Sequence, residues 1–108
     1  MRSFSPEPAA DESELLAGVE AGWLVFGHTH VQFTREAAGG VRLLNPGSVG
    51  LPFDGDSRAA YALLHEDGRA EPRRVGYDHE AAAAGARERM GPWAKTLARR
   101  LELARFDV

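Results

Sequence analysis

The sequence contains no cysteine among its 108 residues. This absence excludes disulfides, thiolate zinc sites, iron–sulfur clusters and cysteine nucleophiles. Any metal has to be held by nitrogen and oxygen atoms. A positive charge excess is also missing, because 13 Lys and Arg residues face 16 Asp and Glu residues, for a net charge of −3. That balance disfavours a protein whose affinity depends on neutralising the phosphates of nucleic acid.

Long hydrophobic runs are the third absence. No stretch approaches the ~20 uninterrupted apolar residues of a membrane-spanning helix, and residues 1–14 lack the apolar core of a signal peptide. We therefore expect no membrane partner and a cytoplasmic location. Residues 1–10 mix Ser, Pro and Glu without periodicity, which predicts a poorly ordered beginning to one small domain spanning 1–108.

Short strands joined by turns are the main structural prediction. An apolar run at 23–26, bounded by glycines, is typical of a strand that is covered on both faces. Two β-hairpins with glycine-containing turns follow from the alternation of apolar and polar residues, namely 31–35 with 41–44 and 59–65 with 70–77.

Helices are predicted at the two ends of the strand region. A short helix over 11–17 precedes the first strand, and an alanine-rich helix over 78–90 stops at Gly91-Pro92. A last helix begins at Trp93 and carries an apolar stripe, interpreted as core contact or partner contact: Trp93, Leu97, Leu101 and Ala104.

Two histidines directly follow the first predicted strand, in Gly27-His28-Thr29-His30. On extended backbone, residues i and i+2 point to the same side with Cα atoms about 6.5–7 Å apart, so both imidazoles can reach one metal or two metals ~3.5–4 Å apart. Gly27 keeps the approach open. Zinc, manganese, iron and nickel all suit such ligands, although surface or hydrogen-bonded histidines also show this spacing.

A glycine-rich turn follows fifteen residues beyond His30, in Asn45-Pro46-Gly47-Ser48-Val49-Gly50. The spacing predicts a type II turn in which Gly47 takes a positive φ. The Asn45 amide, the Ser48 hydroxyl and nearby backbone amides could line a site for an anionic group. An ordinary turn is the alternative interpretation.

Other polar motifs give no assignment. Asp54-Gly55-Asp56 does not begin a calcium loop, because Arg58 and His65 occupy positions where oxygen ligands are needed. His65 and His79 are interpreted as turn or capping residues, and Arg73-Arg74 as two charges on a strand. The sequence thus identifies no certain catalytic residue.

In combination, these motifs resemble the carboxy-terminal part of calcineurin-like metallophosphoesterases. The shared order is a strand ending in Gly27-His28-Thr29-His30, a hairpin, the segment 44–52, an Asp-Gly-Asp turn and a further strand. The most similar subgroup is the small bacterial and archaeal phosphodiesterases, over about 20–80. The resemblance implies an α/β fold: the carboxy-terminal part of a four-layer α/β/β/α sandwich, with short, mostly antiparallel strands and terminal helices.

The resemblance also implies a function. Members of this family use two divalent metals, commonly manganese, iron, zinc or nickel, to hydrolyse phosphomonoesters or phosphodiesters with a metal-bound hydroxide. By this resemblance His28 would ligate one metal and His30 the other. Gly27 and the turn residues Asn45, Gly47 and Ser48 would support the site.

The remaining family ligands are missing from the chain. They come from motifs ahead of the Gly-His-x-His segment, but residues 1–26 contain no histidine. We therefore expect a carboxy-terminal part with little activity alone, completed by an amino-terminal half or by a homo-oligomer before it acts on a phosphate ester. Two alternatives are a non-catalytic oligomerising module that retains the scaffold and a transition-metal carrier that uses His28 and His30.

Overall fold

The computed structural model describes residues 4–20 and 22–108. The predicted poor order of 1–10 falls partly on residues 1–3, which lie outside the described residues, and the single domain over 1–108 stays a prediction. The elements in chain order are α1 (Glu12–Leu15), β1 (Trp23–Val25), β2 (Phe33–Glu36), β3 (Arg42–Asn45), β4 (Ala59–Leu64), β5 (Ala70–Val75), α2 (His79–Arg89) and α3 (Ala94–Leu103).

The five strands form two small sheets. In the first sheet β3 lies in the centre, with β1 parallel on one side and β2 antiparallel on the other. The second sheet is the antiparallel pair of β4 and β5. Both predicted hairpins are confirmed, and the mixed α/β class with mostly antiparallel strands is confirmed with them.

Glycines shape the two hairpin connections as the sequence predicts. Gly39 and Gly40 have φ of 75° and 78° between β2 and β3, and Gly68 has φ of 86° between β4 and β5. The Trp23 indole donates a 2.5 Å hydrogen bond to the Gly68 carbonyl. The second connection is thereby tied to the first sheet.

The apolar core lies against the first sheet. Leu16, Val41 and Leu43 are buried, and Phe4 and Phe26 are among the aromatic side chains around them. The ring centroids of Phe4 and Phe26 lie 5.4 Å apart, edge to face. Docking of α1 thus places Leu16 over the central strand.

The prediction that the strand at 23–26 is covered on both faces is wrong. β1 pairs with β3 alone among the described residues and is an edge strand of its sheet, and Val25 is 51% exposed. Leu24 and Phe26 pack against the core on one face, whereas Val25 points to the opposite, uncovered face. A continuous apolar run does not show whether both faces of a strand are covered.

An ion pair fixes α1 to β2. The Arg35 guanidinium donates to both Glu12 carboxylate oxygens at 2.8 and 2.5 Å, and its Nε donates to the Ser5 carbonyl at 3.0 Å. Glu12 is 6% exposed. The hydrogen bonds from Arg35 hold the pKa of the Glu12 carboxyl below its ordinary value.

The last two helices form a hairpin packed through alanines. Asp78 caps α2 by accepting a 3.0 Å hydrogen bond from the Ala81 amide, and Ala83, Ala86 and Ala98 are buried. The predicted stripe is core contact only in part, because Ala104 is buried but Trp93 is 70% exposed.

The chain is extended for its length. Its radius of gyration is 16.0 Å, against about 13 Å for a compact domain of this size. None of the helices in the described part of the chain is long and apolar enough to cross a bilayer. The extended shape leaves several large apolar side chains in contact with solvent, including Val49 and Phe106.

Candidate metal-ligand site

Both candidate ligands lie on the loop between β1 and β2. The Phe26 amide still donates to the Leu44 carbonyl at 3.0 Å and extends the pairing of β1 with β3. Beyond it the chain leaves the sheet, since β1 and β2 lie on opposite sides of β3 and the loop has to cross the end of that strand. The crossing leaves His28 exposed and His30 half-buried.

The histidine backbone is not extended as predicted. His28 has φ of 81° and His30 has φ of 61°, in the left-handed region that costs a non-glycine residue about 1–2 kcal/mol. The crossing over β3 requires these turns, which a period-2 argument cannot anticipate. Strained residues of this kind persist only where their surroundings hold them, and they cluster at functional sites.

The His30 ring is held on two sides. Its Nδ1 lies 2.8 Å from the Leu51 carbonyl oxygen, and its ring stacks on Phe53 with centroids 4.6 Å apart and planes 14° apart. Since a carbonyl only accepts, Nδ1 carries the proton and Nε2 keeps the free lone pair of a neutral imidazole. Nε2 has no hydrogen-bond partner among the described residues. Metal-ligating histidines commonly show this arrangement.

His28 borders a cleft of about 450 Å³. Thr29, Val31, Phe53 and Phe106 complete its lining. The rings of Phe53 and Phe106 meet edge to face at 5.4 Å, so the carboxy-terminal segment contributes one wall. This volume suits a small organic ligand.

Asn45 connects the histidine loop to the glycine-rich turn. It is fully buried, its Nδ2 donates to the Thr29 hydroxyl at 2.9 Å, and its Oδ1 accepts from the Gly47 amide at 2.9 Å. A buried amide with both ends bonded is a specific connection, because either end left unpaired is costly. Asn45 therefore holds Thr29 between the two histidines.

Gly47 is confined by its neighbours as well as by its backbone. It has the predicted positive φ, 84°, and a Cβ there would lie 2.9 Å from the Ala60 Cβ and 3.0 Å from the Gln32 Cβ. Next to it, the Ser48 hydroxyl accepts from the Leu51 amide at 2.9 Å. Ser48 thus orients Leu51, whose carbonyl accepts the hydrogen bond from His30. Gly27 is exposed, with open space around it.

Sequence reasoning missed a polar network behind the loop. Gln32, Asp54 and Arg74 lie in it, and the Arg74 Nε donates to the Gln32 Oε1 at 2.9 Å. Strand alternation could have separated a half-buried Arg74 from an exposed Arg73. Its partners are distant in sequence, and no local pattern identifies them.

The other two histidines lie away from this loop. His65 follows β4, with its Nε2 3.9 Å from a Glu71 carboxylate oxygen, and His79 begins α2. Across residues 4–20 and 22–108, no group of three or more His, Asp and Glu side chains could hold a metal ion. A catalytic transition-metal site usually takes at least three protein ligands per metal, so the two-metal centre does not fit on this chain alone.

Comparison with known proteins relates this arrangement to one family. The model of the calcineurin-like phosphoesterase superfamily domain matches residues 6–69. An uncharacterized protein of Methanocaldococcus jannaschii is 36% identical over an alignment 77 residues long, and the match covers 56% of this chain and 32% of that protein. The crystal structure of a metallophosphoesterase from Sphaerobacter thermophilus is similar with a TM-score of 0.67 at 28% identity, covering 82% of this chain and 44% of that chain. The chain therefore spans less than half the length of these relatives.

Proposed function

Because the chain belongs to the calcineurin-like phosphoesterase superfamily, with a match over residues 6–69, we propose that it supplies two histidine ligands to a centre that hydrolyses phosphate esters. His28 would bind one divalent metal and His30 the other, with manganese, iron, zinc and nickel as candidates. The other ligands come from a polypeptide segment outside this chain.

The orientation of His30 is the observation that carries the proposal. Its Nδ1–H donates a hydrogen bond to the Leu51 carbonyl, and its ring is stacked on Phe53. Nε2 is therefore the ring nitrogen that is free to bind a metal. The strained backbone at both histidines supports the same conclusion, because it is maintained by the Asn45 connection beside them.

The chain's own part in the reaction is to hold and orient. Leu51 fixes the tautomer of His30, Asn45 fixes the loop, and the cleft beside His28 offers space for the organic group of a phosphate ester. Two imidazoles do not complete the coordination of two metals, so no catalytic step is assigned to these residues alone.

A cobalt titration of the purified chain tests the ligand assignment. Co²⁺ bound by imidazole nitrogen gives a visible absorption band, and we expect weak binding that falls at least about tenfold in His28→Ala and in His30→Ala, because loss of a ligand costs no less than the roughly tenfold loss seen for an outer partner of a ligand. His79→Ala is the matched control, because it removes a histidine that begins α2. Binding that is unchanged in both loop variants, or lost in the control, would contradict the proposal.

Hydrolysis of a chromogenic phosphodiester, with and without manganese, tests the reaction. We expect the chain alone to show little turnover. A mixture of this chain with an amino-terminal half that supplies the missing ligands should show manganese-dependent turnover. His28→Ala should abolish that turnover. Turnover that is unchanged in His28→Ala would contradict the assignment of His28 as a metal ligand.

A second candidate function is an oligomerising module. The exposed Trp93 and Phe106, at 70% and 61%, and the extended shape favour it, because large exposed apolar side chains can be covered by a second copy of the chain. Sedimentation with and without a chelator distinguishes the two. A defined oligomer that persists in chelator and in His28→Ala would support this module.

A further inference from the structure

Arg74 lies on β5, outside the histidine loop, and yet its guanidinium reaches two chain segments that adjoin His30. Its Nε donates to Gln32, two residues after His30, at 2.9 Å. Its Nη2 is paired with Asp54. Asp54 is the residue directly after Phe53, whose ring stacks on His30. The side chains of Arg74 and Asp54 are only 13% and 20% exposed.

Gln32 carries the connection onward to the glycine-rich turn. Its Nε2 lies 3.3 Å from the Pro46 carbonyl, 3.0 Å from the Tyr61 carbonyl and 3.1 Å from the Arg73 carbonyl. Arg74 also donates to the Asp56 carbonyl at 3.3 Å. One guanidinium thus reaches the segment that follows His30 and the segment whose Phe53 ring stacks on it. A planar fork of fixed donors suits this task better than the flexible ammonium of a lysine.

The side chain of Arg73, the neighbouring residue, has none of these contacts, and only its backbone carbonyl lies near Gln32. Its side chain is 48% exposed and pairs with Glu71 two residues away on the same strand. Exposed pairs of this kind contribute little to stability. The two adjacent arginines of β5 therefore carry the same guanidinium group on the same strand, but one is exposed and the other is largely buried.

We propose that Arg74 is a positioning residue, which fixes the His30 ring for metal binding by tying Gln32, close behind His30 in the chain, to Asp54, next to the stacked Phe53. The inference rests on the function proposed above, for which His30 is a ligand. Arg74 acts through the backbone of its two partners, since Gln32 is joined to His30 by one residue and Asp54 is joined directly to Phe53. The role extends the site to a strand in the second sheet.

The test uses the full chain and two measurements, the chemical shifts of the His30 ring protons and the affinity for Co²⁺. At about pH 8, where an ordinary histidine is neutral, the carbon-bound ring protons of His30 should resonate upfield of their position in the urea-unfolded chain, because of the stacked Phe53. In Arg74→Met these signals should move toward the unfolded position, and Co²⁺ binding should weaken about tenfold, as when outer partners of a ligand are removed. Arg74→Lys should give intermediate values in both readouts.

Arg73→Met is the control and should leave both readouts unchanged. A merely structural role for Arg74 would lower the melting temperature without moving the His30 signals in the folded chain, and that result overturns the proposal. An equal change in Arg73→Met overturns it too. If Arg74→Met does not fold, Asp54→Asn removes the ion pair alone, and His30 signals identical to those of wild type would then count against the role. Absence of Co²⁺ binding in wild type would contradict the weak binding expected of the two histidines, while the ring signals still decide the position of His30.

Discussion

The loops around His30 and the α2–α3 hairpin are held together by different kinds of contact. In the loops, buried polar groups such as Asn45 and Arg74 each join specific atoms of distant segments. In the hairpin, small side chains such as Ala83 and Ala98 are buried against a neighbouring helix. The difference teaches where this chain is intolerant of change, because a polar connection has one correct partner whereas apolar contacts can readjust.

The largest effect is expected for Asn45→Leu. This change keeps the approximate size of the side chain but leaves the Thr29 hydroxyl and the Gly47 amide without their partner. The free energy of unfolding should fall by about 2–4 kcal/mol, as for two buried polar groups left unpaired. Urea unfolding measures it. Thr29→Val removes one of the two bonds and should cost about half as much, and a smaller loss in Asn45→Leu than in Thr29→Val would contradict the comparison.

Gly47→Ala should follow, with a loss of about 2–3 kcal/mol. The new Cβ would meet Ala60 and Gln32 at 2.9 and 3.0 Å in a backbone of positive φ. Gly39→Ala is the matched control, because its φ of 75° is similar but its surroundings are open, so it should cost only about 1 kcal/mol. Equal losses in thermal or urea unfolding would show that the contacts around Gly47 add nothing.

Glu12→Gln should cost about 1–2 kcal/mol at neutral pH, since Arg35 loses a charged hydrogen-bond acceptor. The pKa of Glu12 is lowered in the folded chain from its ordinary 4.5. The contribution of Glu12 is therefore complete above that value and is lost as the pH falls through the lowered pKa. Urea midpoints of wild type and variant should converge on acidification. A constant difference between them would contradict the ion-pair explanation.

Trp93→Ala should have the smallest effect, below about 0.5 kcal/mol, because the side chain is 70% exposed. Thermal unfolding and sedimentation together check this. A clear loss of stability that depends on protein concentration would show that Trp93 is covered by a second copy. The helical hairpin would then make a specific contact with a second copy of the chain, in addition to the alanine contacts between its own helices.

Much of the fold was predictable because its signals are local. The diglycine at 39–40 requires positive φ whatever surrounds it, and Asp78 can cap only the helix that follows it. The same holds for Gly47 in its turn. Both hairpins and both terminal helices could therefore be located from neighbouring residues alone.

The candidate site was predictable in its residue types and not in its geometry. His28 and His30 stand out by spacing, but their left-handed backbone follows from the position of β1 and β2 on opposite sides of β3. The partners of Arg74 lie 42 and 20 residues away. Such pairings depend on the tertiary fold, and neither periodicity nor turn chemistry encodes them.

The parallel pairing of β1 with β3 sets an order of assembly. The β2–β3 hairpin closes through residues 37–41 alone, and local hairpins form in about 1–10 μs. β1 has no strand to join until β3 exists, although it is made earlier during synthesis. The loop that carries His28 and His30 is anchored at both ends only after Leu43 and Leu44 have left the ribosome and β1 has docked on them. We therefore expect the two histidines to reach their final positions late in folding, after the hairpin that lies beyond them in the chain.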